Sequence, residues 1–299
     1  MDRLHAMKVF VRVAETQGFA EAARQMRMSP AGVTRAVAQL ESGINTRLLI
    51  RTTRSVKLSE AGTRYYEDCK RILADIEDAE ASAAGAYAMP TGTLCISAPV
   101  LFGRLHVLPI ITTYLDQNPD ITVQALCVDR LVNLVDEGID VAIRIGHLPD
   151  SGLHAINVGH ARRVVCATPD YLATHGTPQT PADLAQHQLI ATMGNWSSQE
   201  WHFGQHRERS ISIHPRLLCN NNEAAIAAAT AGWGMTRVLS YQVNHAVAAG
   251  ELQIVLADYE EPPLPIHILY AEGRGTSAKV RRFVELAVEV LRGSGALFA

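Results

Sequence analysis

Ser29, Pro30, Ala31, Thr34 and Arg35 lie in the run SPAGVTRAVAQL, where a helix cap is followed by small residues, one hydroxyl and one guanidinium. Ser29 suits an N-cap and Pro30 the first helical position. Val33, Val37 and Leu40 recur at i, i+4 and i+7 and predict a buried face, which turns Ala31, Thr34, Arg35 and Ala38 outward. Such an exposed face fits a DNA major groove, where arginine forks to guanine and a threonine methyl meets thymine. Downstream, Leu48, Ile50, Val56 and Leu58 alternate with polar residues and predict a short hairpin with Thr53 to Ser55 at its tip. Arg54 at that tip suits a minor groove, whose negative potential draws guanidinium. Arg51, Thr52, Ser55 and Lys57 suit phosphate contacts.

The elements that must hold these side chains follow the same periodicity. Leu4, Met7, Phe10, Val11 and Ala14 predict a first helix over 4–16, broken by Gly18. Phe19, Ala22, Ala23 and Met26 predict a second short helix before the Ser-Pro turn. Together with the hairpin, these make a winged helix-turn-helix over residues 1–58. Charge agrees: residues 1–60 carry ten Lys and Arg against five Asp and Glu, and the remainder seventeen against twenty-five. A basic head on an acidic body fits a nucleic-acid contact confined to the head.

Ser59-Glu-Ala-Gly caps a further helix expected to run to about residue 88 within a linker spanning 59–90. Its apolar positions Tyr65, Cys69, Ile72, Ile76, Ala79 and Ala83 are spaced 4, 3, 4, 3, 4, a heptad-like seam that asks for a partner helix. A second copy of the chain is favoured, with Tyr65, Cys69, Ile72 and Ile76 as the pairing residues; the alternative is packing against its own C-terminal part. Pro90-Thr-Gly92 ends the helix.

From residue 92 strand-like and helix-like segments alternate: strands at 93–97, 121–128 and 140–145, helices at 103–117 and 130–137. A second series begins at 162–167, with helices at 169–175 and 223–231 and a strand at 234–238. A strand at 266–270 and a helix at 277–292 close the chain. This βαβαβ pattern predicts a mostly parallel sheet and an α/β class.

The pieces FAEAARQM, SPAGVTRAVAQLE, RLLIRTTRSVKLSEAG, DVAIRIG, ATPDYL and AGWGM resemble those of LysR-type transcriptional regulators, over nearly all 299 residues. The resemblance implies that positions 30, 31, 34 and 35 lie at the major groove and Arg54 in the minor groove. It further implies a homo-oligomer, a dimer of dimers, on an inverted-repeat operator of double-stranded DNA, an effect on RNA polymerase, and a two-lobed, periplasmic-binding-protein-like effector domain. In that frame lobe I is 91–160 with 267–299, lobe II is 161–266, and the effector domain as a whole is 91–299. Three positions depart from the family pattern. Ala31-Gly32 stand where a serine is common, Gly18 stands for a capping serine, and Asn45 replaces a glycine while tolerating the left-handed conformation.

Ligands in such folds bind at strand carboxyl ends and helix N-termini, in the crevice between lobes. That rule nominates Ser97, Pro99, Val100 and Phe102 after the first strand, Val128 and Asp129 after the second, and Ile145, Gly146 and His147 after the third. It adds Trp196 and Trp201, Asn220 to Asn222, and Thr236 on the other lobe. Relatives that bind small carboxylates often present hydroxyls after the first two strands; here Pro99, Val100 and Val128 stand there. The expected effector is therefore small and partly aromatic or weakly polar.

Other classes are disfavoured. There is no GxSxG, Walker loop, HExxH or GxGxxG, so no catalytic role and no cofactor are expected. His147, His154 and His160 lack a pattern that would make them metal ligands, and packing histidines are favoured. Five cysteines without a CxxC read as buried reduced thiols rather than a disulfide framework, a zinc site or a redox switch. No 18-residue apolar run and no signal peptide are present, so a cytoplasmic protein without membrane contact is expected. A solute-binding protein or a small-molecule enzyme on the same two-lobed fold is the alternative function.

Overall fold

The computed structural model describes residues 2–51, 56–83, 89–149, 152–192, 200–271 and 277–295. The chain divides into two compact units, Met1–Ala88 and Met89–Ala299.

The first unit is built on helices α1 (Arg3–Thr16), α2 (Phe19–Gln25) and α3 (Pro30–Gly43), an antiparallel pair β1 (Leu49–Arg51) and β2 (Val56–Leu58), and the long helix α4 (Glu60–Ala83). The expected stripes form the core: Met7, Val9, Phe10, Val13, Ala22, Ala23, Val33, Ala36, Val37 and Leu40 are all buried. Asn45 takes φ 51°, the left-handed turn that lets the chain leave α3. The hairpin register differs from the expected alternation. Leu48 and Leu49 are both buried, while Ile50 is 54% exposed. Leu49 pairs with Leu58 and Ile50 with Lys57, so the apolar face of the wing is set by Leu49 and not by Ile50.

Helix α4 is tied to the wing at its start. Ser59 Oγ accepts from the Gly62 amide at 2.9 Å and donates to the Arg47 carbonyl at 2.8 Å. The Ser59 amide donates to the Leu48 carbonyl at 2.9 Å. A Cβ at Gly62 would collide with that same Leu48 carbonyl, so only glycine lets the helix approach β1 this closely. The seam expected to pair with a second copy is partly used within the head. Cys69 is fully buried in the head core, and Tyr65 packs against it with its ring 5.9 Å from that of Phe10. Cys69 is thereby a core position of the head and not a pairing one, whereas Tyr65 is only partly buried. Ile72, 37% exposed, stands outside the buried core.

The second unit holds two five-stranded sheets. The first sheet contains β3 (Gly92–Ala98), β4 (Ile121–Cys127), β5 (Val141–Ile145), β6 (Leu153–Ala161) and the returning strand β14 (Leu264–Ala271), in the order β4-β3-β5-β14-β6. The second contains β7 (Arg163–Ala167), β8 (Leu189–Thr192), β11 (Leu217–Cys219), β12 (Met235–Leu239) and β13 (Gln253–Val255), in the order β11-β8-β12-β7-β13. Strands β9 (Glu200–Phe203) and β10 (Arg209–Ser212) form a separate hairpin. In each large sheet two pairings are parallel and two antiparallel. The sheets are thus mixed rather than mostly parallel, because the crossing strands β14 and β7 enter each one in reverse.

Helix α5 (Val100–Phe102) continues through a π turn, Gly103–Val107, into α6 (Leu108–Gln117). The remaining helices are α7 (Pro169–His175), α8 (Asn222–Thr230), α9 (Ser240–Ala248) and α10 (Ala278–Gly293). The helix expected over 130–137 is absent; a run of turns connects β4 to β5. Asn133 Oδ1 accepts from the amides of Val135 and Asp136, and Glu137 accepts from the Asn133 amide. These local bonds compete with the helical ladder, and Gly138 at φ 66° closes the turn. The core of the first lobe is filled by Leu94, Ile96, Phe102, Ile110, Tyr114, Ile143, Ile266, Ile268 and Phe283.

Candidate nucleic-acid interface and ligand cleft

Helix α3 starts where its sequence directs. Ser29 Oγ accepts from the Gly32 amide at 3.1 Å, and Pro30 occupies the first turn. With Val33, Ala36, Val37 and Leu40 turned into the core, Ala31, Thr34, Arg35 and Ala38 are exposed together on the opposite face. The Thr34 hydroxyl donates to the Pro30 carbonyl at 2.9 Å, so its methyl and one lone pair remain for a base edge. Arg35 has five donors and no internal acceptor among the described residues. Lys57 is exposed on β2. Thr52 and Arg54 lie outside the described residues, as do Thr53 and Ser55; the backbone of Arg51 ends β1.

One residue of this surface escaped the sequence reading. Glu41 Oε1 accepts from the amides of both Leu48 and Leu49, at 2.8 and 3.1 Å, and so clamps the wing to the recognition helix. An acidic side chain at the end of a helix in a basic head was the available signal.

In the second unit a cavity of about 650 Å³ opens between the two sheets. Pro99, Val128, Ile145, Gly146, Asn220 and Asn222 line it as expected from the strand-end rule, with Asp129, His147, Trp201 and Asn221. Asn221 is committed to its helix, its Oδ1 accepting from the Ala224 amide at 2.8 Å. Four nominated residues are not in the lining. Ser97 is fully buried behind the wall, and its Oγ accepts from Arg144 at 3.1 Å. Phe102 is buried in the first lobe's core, with its ring edge-on to Tyr241 at 5.2 Å. Thr236 is buried and donates to the Ile190 carbonyl. The Val100 amide is bound by Asp129 Oδ1 at 3.0 Å. The physical reason on the first lobe is that α5 begins directly after β3, so the residues beyond Pro99 turn back into the core. Trp196 lies outside the described residues.

The cleft is more charged than the apolar residues directly after its strands suggest. Five arginines line it, Arg130, Arg144, Arg163, Arg207 and Arg237, with the carboxylates Asp129, Glu200 and Glu261. The strand register explains two of them. Arg237 pairs with Val165 and Leu239 with Arg163, so Arg163 and Arg237 project from one face of adjacent strands. Both reach Glu261 Oε2, at 2.6 and 2.7 Å, and Arg207 Nε lies 2.9 Å from Oε1. The Glu261 side chain is only 3% exposed. Burial pushes its carboxyl up, but the Arg163 hydrogen bond and the charges of Arg163, Arg237 and Arg207 outweigh this and hold it below the ordinary glutamate value. Arg237 also donates to the His202 carbonyl at 2.7 Å and sits over the ring of Phe203. Burial, opposed by Glu261, brings its guanidinium down to about 10. No single one of these arginines is distinguished by spacing, so the set was not legible before the fold.

Among the described residues no group of three His, Cys, Asp or Glu is placed to hold a metal ion. All five cysteines are free; burial pushes Cys166 up to about 12 and Cys69 to about 11, which makes poor nucleophiles of both. His154 stacks on Tyr270 at 5.3 Å. No helix among the described residues is long and apolar enough to cross a membrane.

A winged helical head with an outward recognition face, followed by a two-lobed unit with a charged cleft, is the architecture of an effector-responsive DNA-binding regulator. The chain belongs to the LysR family: residues 4–63 match its bacterial regulatory helix-turn-helix domain and 88–292 the LysR substrate binding domain. It is 34% identical over 281 residues to an uncharacterized HTH-type transcriptional regulator of Haemophilus influenzae, covering 94% of this chain and 98% of the relative. It is 31% identical to the HTH-type transcriptional activator AaeR of Escherichia coli, covering 100% of this chain and 97% of the relative. Among solved structures, the LysR-type regulator CrgA of Neisseria meningitidis superposes with a TM-score of 0.63 at 29% identity, covering 96% of this chain and 98% of that one. The virulence activator AphB of Vibrio cholerae gives 0.61 at 26% identity, with the same coverage. The chain is thus a transcriptional regulator with a DNA-binding head and an effector-binding domain, and not an enzyme.

Proposed function

We propose that the chain reads an interrupted inverted repeat as a homo-oligomer, with Pro30, Ala31, Thr34 and Arg35 in the major groove and Arg54 in the adjacent minor groove. Ser29, Arg51, Thr52 and Lys57 contact the backbone. The domain limits follow the expected division, 1–58 for the reader, 59–90 for the pairing helix and 91–299 for the sensor. Ile72 and Ile76 carry the pairing of two α4 helices. The regulator works in the cytoplasm, without membrane contact, and meets RNA polymerase at the promoter.

The observation that supports this best is the shared exposure of Ala31, Thr34, Arg35 and Ala38 on a helix whose other face is fully buried. Small side chains let the helix backbone approach base edges, and the two polar ones supply readout. Effector binding between the lobes biases their closure and, through the oligomer, the placement of the heads on DNA, a coupling between two distinct sites.

Footprinting on the DNA flanking the chain's own gene tests the reading. A protected, interrupted inverted repeat that the Thr34→Ala, Arg54→Ala double variant loses is expected. Affinity should fall steeply with added salt, because bound arginine and lysine release phosphate counterions. Absence of protection at low salt by folded protein would return the solute-binding and enzyme alternatives to consideration.

A further inference from the structure

Resting on the reading of the cleft as the effector site, we propose that its ligand is a small organic monocarboxylate with an apolar body, and that Arg144 is the residue that binds the carboxylate. Each of the other four cleft arginines already has a carboxylate. Arg130 is paired with Glu137, and Arg163, Arg207 and Arg237 share Glu261. Arg144 has none within ion-pair distance among the described residues. Its two recorded partners are neutral: the Ser97 hydroxyl at 3.1 Å and the Ile143 carbonyl at 2.8 Å.

Those partners fix the guanidinium without discharging it. Ser97 is fully buried at the end of β3, and Arg144 stands on β5, so both ends of the hydrogen bond are held by central strands of one sheet. A planar fork oriented in advance loses little entropy when it meets a carboxylate. Burial lowers the Arg144 pKa, outweighing the more distant charges of Glu137 and Asp129 that act to raise it. The carboxylates that share the cavity have other tasks: Asp129 holds the Val100 amide at 3.0 Å, Glu200 accepts from the Ser210 hydroxyl at 3.0 Å, and Glu261 is enclosed by its three arginines. The cavity therefore presents a surplus of positive charge.

The rest of the lining defines the body of the ligand. Pro99, Val128, Leu131 and Trp201 supply apolar and aromatic surface around the charged groups. Leu131 is 78% exposed at this position, an apolar side chain that a ligand would cover. A volume of about 650 Å³ suits a small organic acid better than a bare inorganic anion, which would leave those walls without contact.

Calorimetric titration of the full-length protein with matched pairs tests this: benzoate against benzamide, phenylacetate against phenylacetamide, and butyrate against butyramide. At least one acid is expected to bind roughly tenfold or more tightly than its amide, the scale of a charge-assisted hydrogen bond. Arg144→Gln should bring that ratio close to one, and Arg144→Lys should restore part of it. A collapsed ratio with the residual amide signal intact separates lost recognition from lost folding. Amides that match their acids in the wild-type protein, a ratio that survives in Arg144→Gln, or no binding by any acid at millimolar concentration would each overturn the proposal. Val128→Trp, which fills the cavity, distinguishes the two levels. If acids and amides bind equally and Val128→Trp blocks both, the anion inference fails and the cleft reading stands. If binding is indifferent to Val128→Trp, the cleft reading itself fails.

Discussion

In the head, Thr34 and Arg35 stand beside Val33, Ala36 and Val37 on one helix, and the same 3.6-residue period that buries the latter exposes the former. In the 89–299 unit, the five cleft arginines come from positions spread over more than a hundred residues, and only strand order brings them together. The first surface is convex and local; the second is concave and assembled from distant segments. Local surfaces tolerate change to their outward residues with little loss of fold. Assembled ones place charged groups inside the packing, where function and stability share the same atoms.

The largest effect that tests this contrast is expected at Glu261. Glu261→Gln leaves Arg163, Arg207 and Arg237 without their shared carboxylate and should cost about 3–5 kcal/mol, because it strands buried positive charge. In chemical denaturation the transition of the 89–299 unit should shift while that of the head stays in place; a matching loss in the head would break the contrast. Acid should act on the same point. The folded Glu261 carboxyl lies below its ordinary value of 4.5, so its contribution is complete above that value. It is lost as pH falls through the lower folded value, and the same unit should soften first in an acid titration.

A smaller loss, about 1–3 kcal/mol, is expected for Gly62→Ala, where the added methyl must displace the Leu48 carbonyl. Here the head's transition should move and the other unit's should not. Arg35→Ala should leave thermal unfolding unchanged within error and weaken operator affinity by about 1–3 kcal/mol in fluorescence anisotropy. An equal fall in stability would show that the recognition face is not independent of its core. Ser29→Ala should be the mildest, about 1 kcal/mol of head stability from a lost N-cap.

The same contrast explains what was legible in the chain. Ser29, Pro30, Val33, Val37 and Leu40 announced α3 and its outward face because cap, turn and period are short-range properties. The wing was recognisable as a hairpin, yet its register slipped by one at Ile50, since consecutive apolar residues at 48–50 satisfy either alternation. For the cleft, the strand-end rule found Pro99, Val128, Ile145, Gly146, Asn220 and Asn222. It misplaced Ser97, Val100, Phe102 and Thr236, because whether a terminal side chain meets a cavity or the core depends on where the next element turns. The charge of the cleft was hidden for a related reason. The residues directly after the strands are apolar, while Arg144 and Arg237 lie within β5 and β12, where an arginine reads as an exposed edge position until the sheet is closed on both sides. Cys69 illustrates the converse: a heptad seam does not say which of its members the nearest core has already taken.

The close approach of Gly62 to Leu48 has a mechanical consequence. With the Ser59 hydroxyl bridging Arg47 and Gly62, and no side chain between the helix and the strand, the start of α4 and the wing have no slack between them. A torque applied along the α4 axis is delivered to β1 within one residue, and Glu41 passes it on to α3 through the amides of Leu48 and Leu49. The start of α4, the wing and α3 are thereby tied into one piece, so a rotation of the helix start is at once a rotation of the wing and of the reading helix.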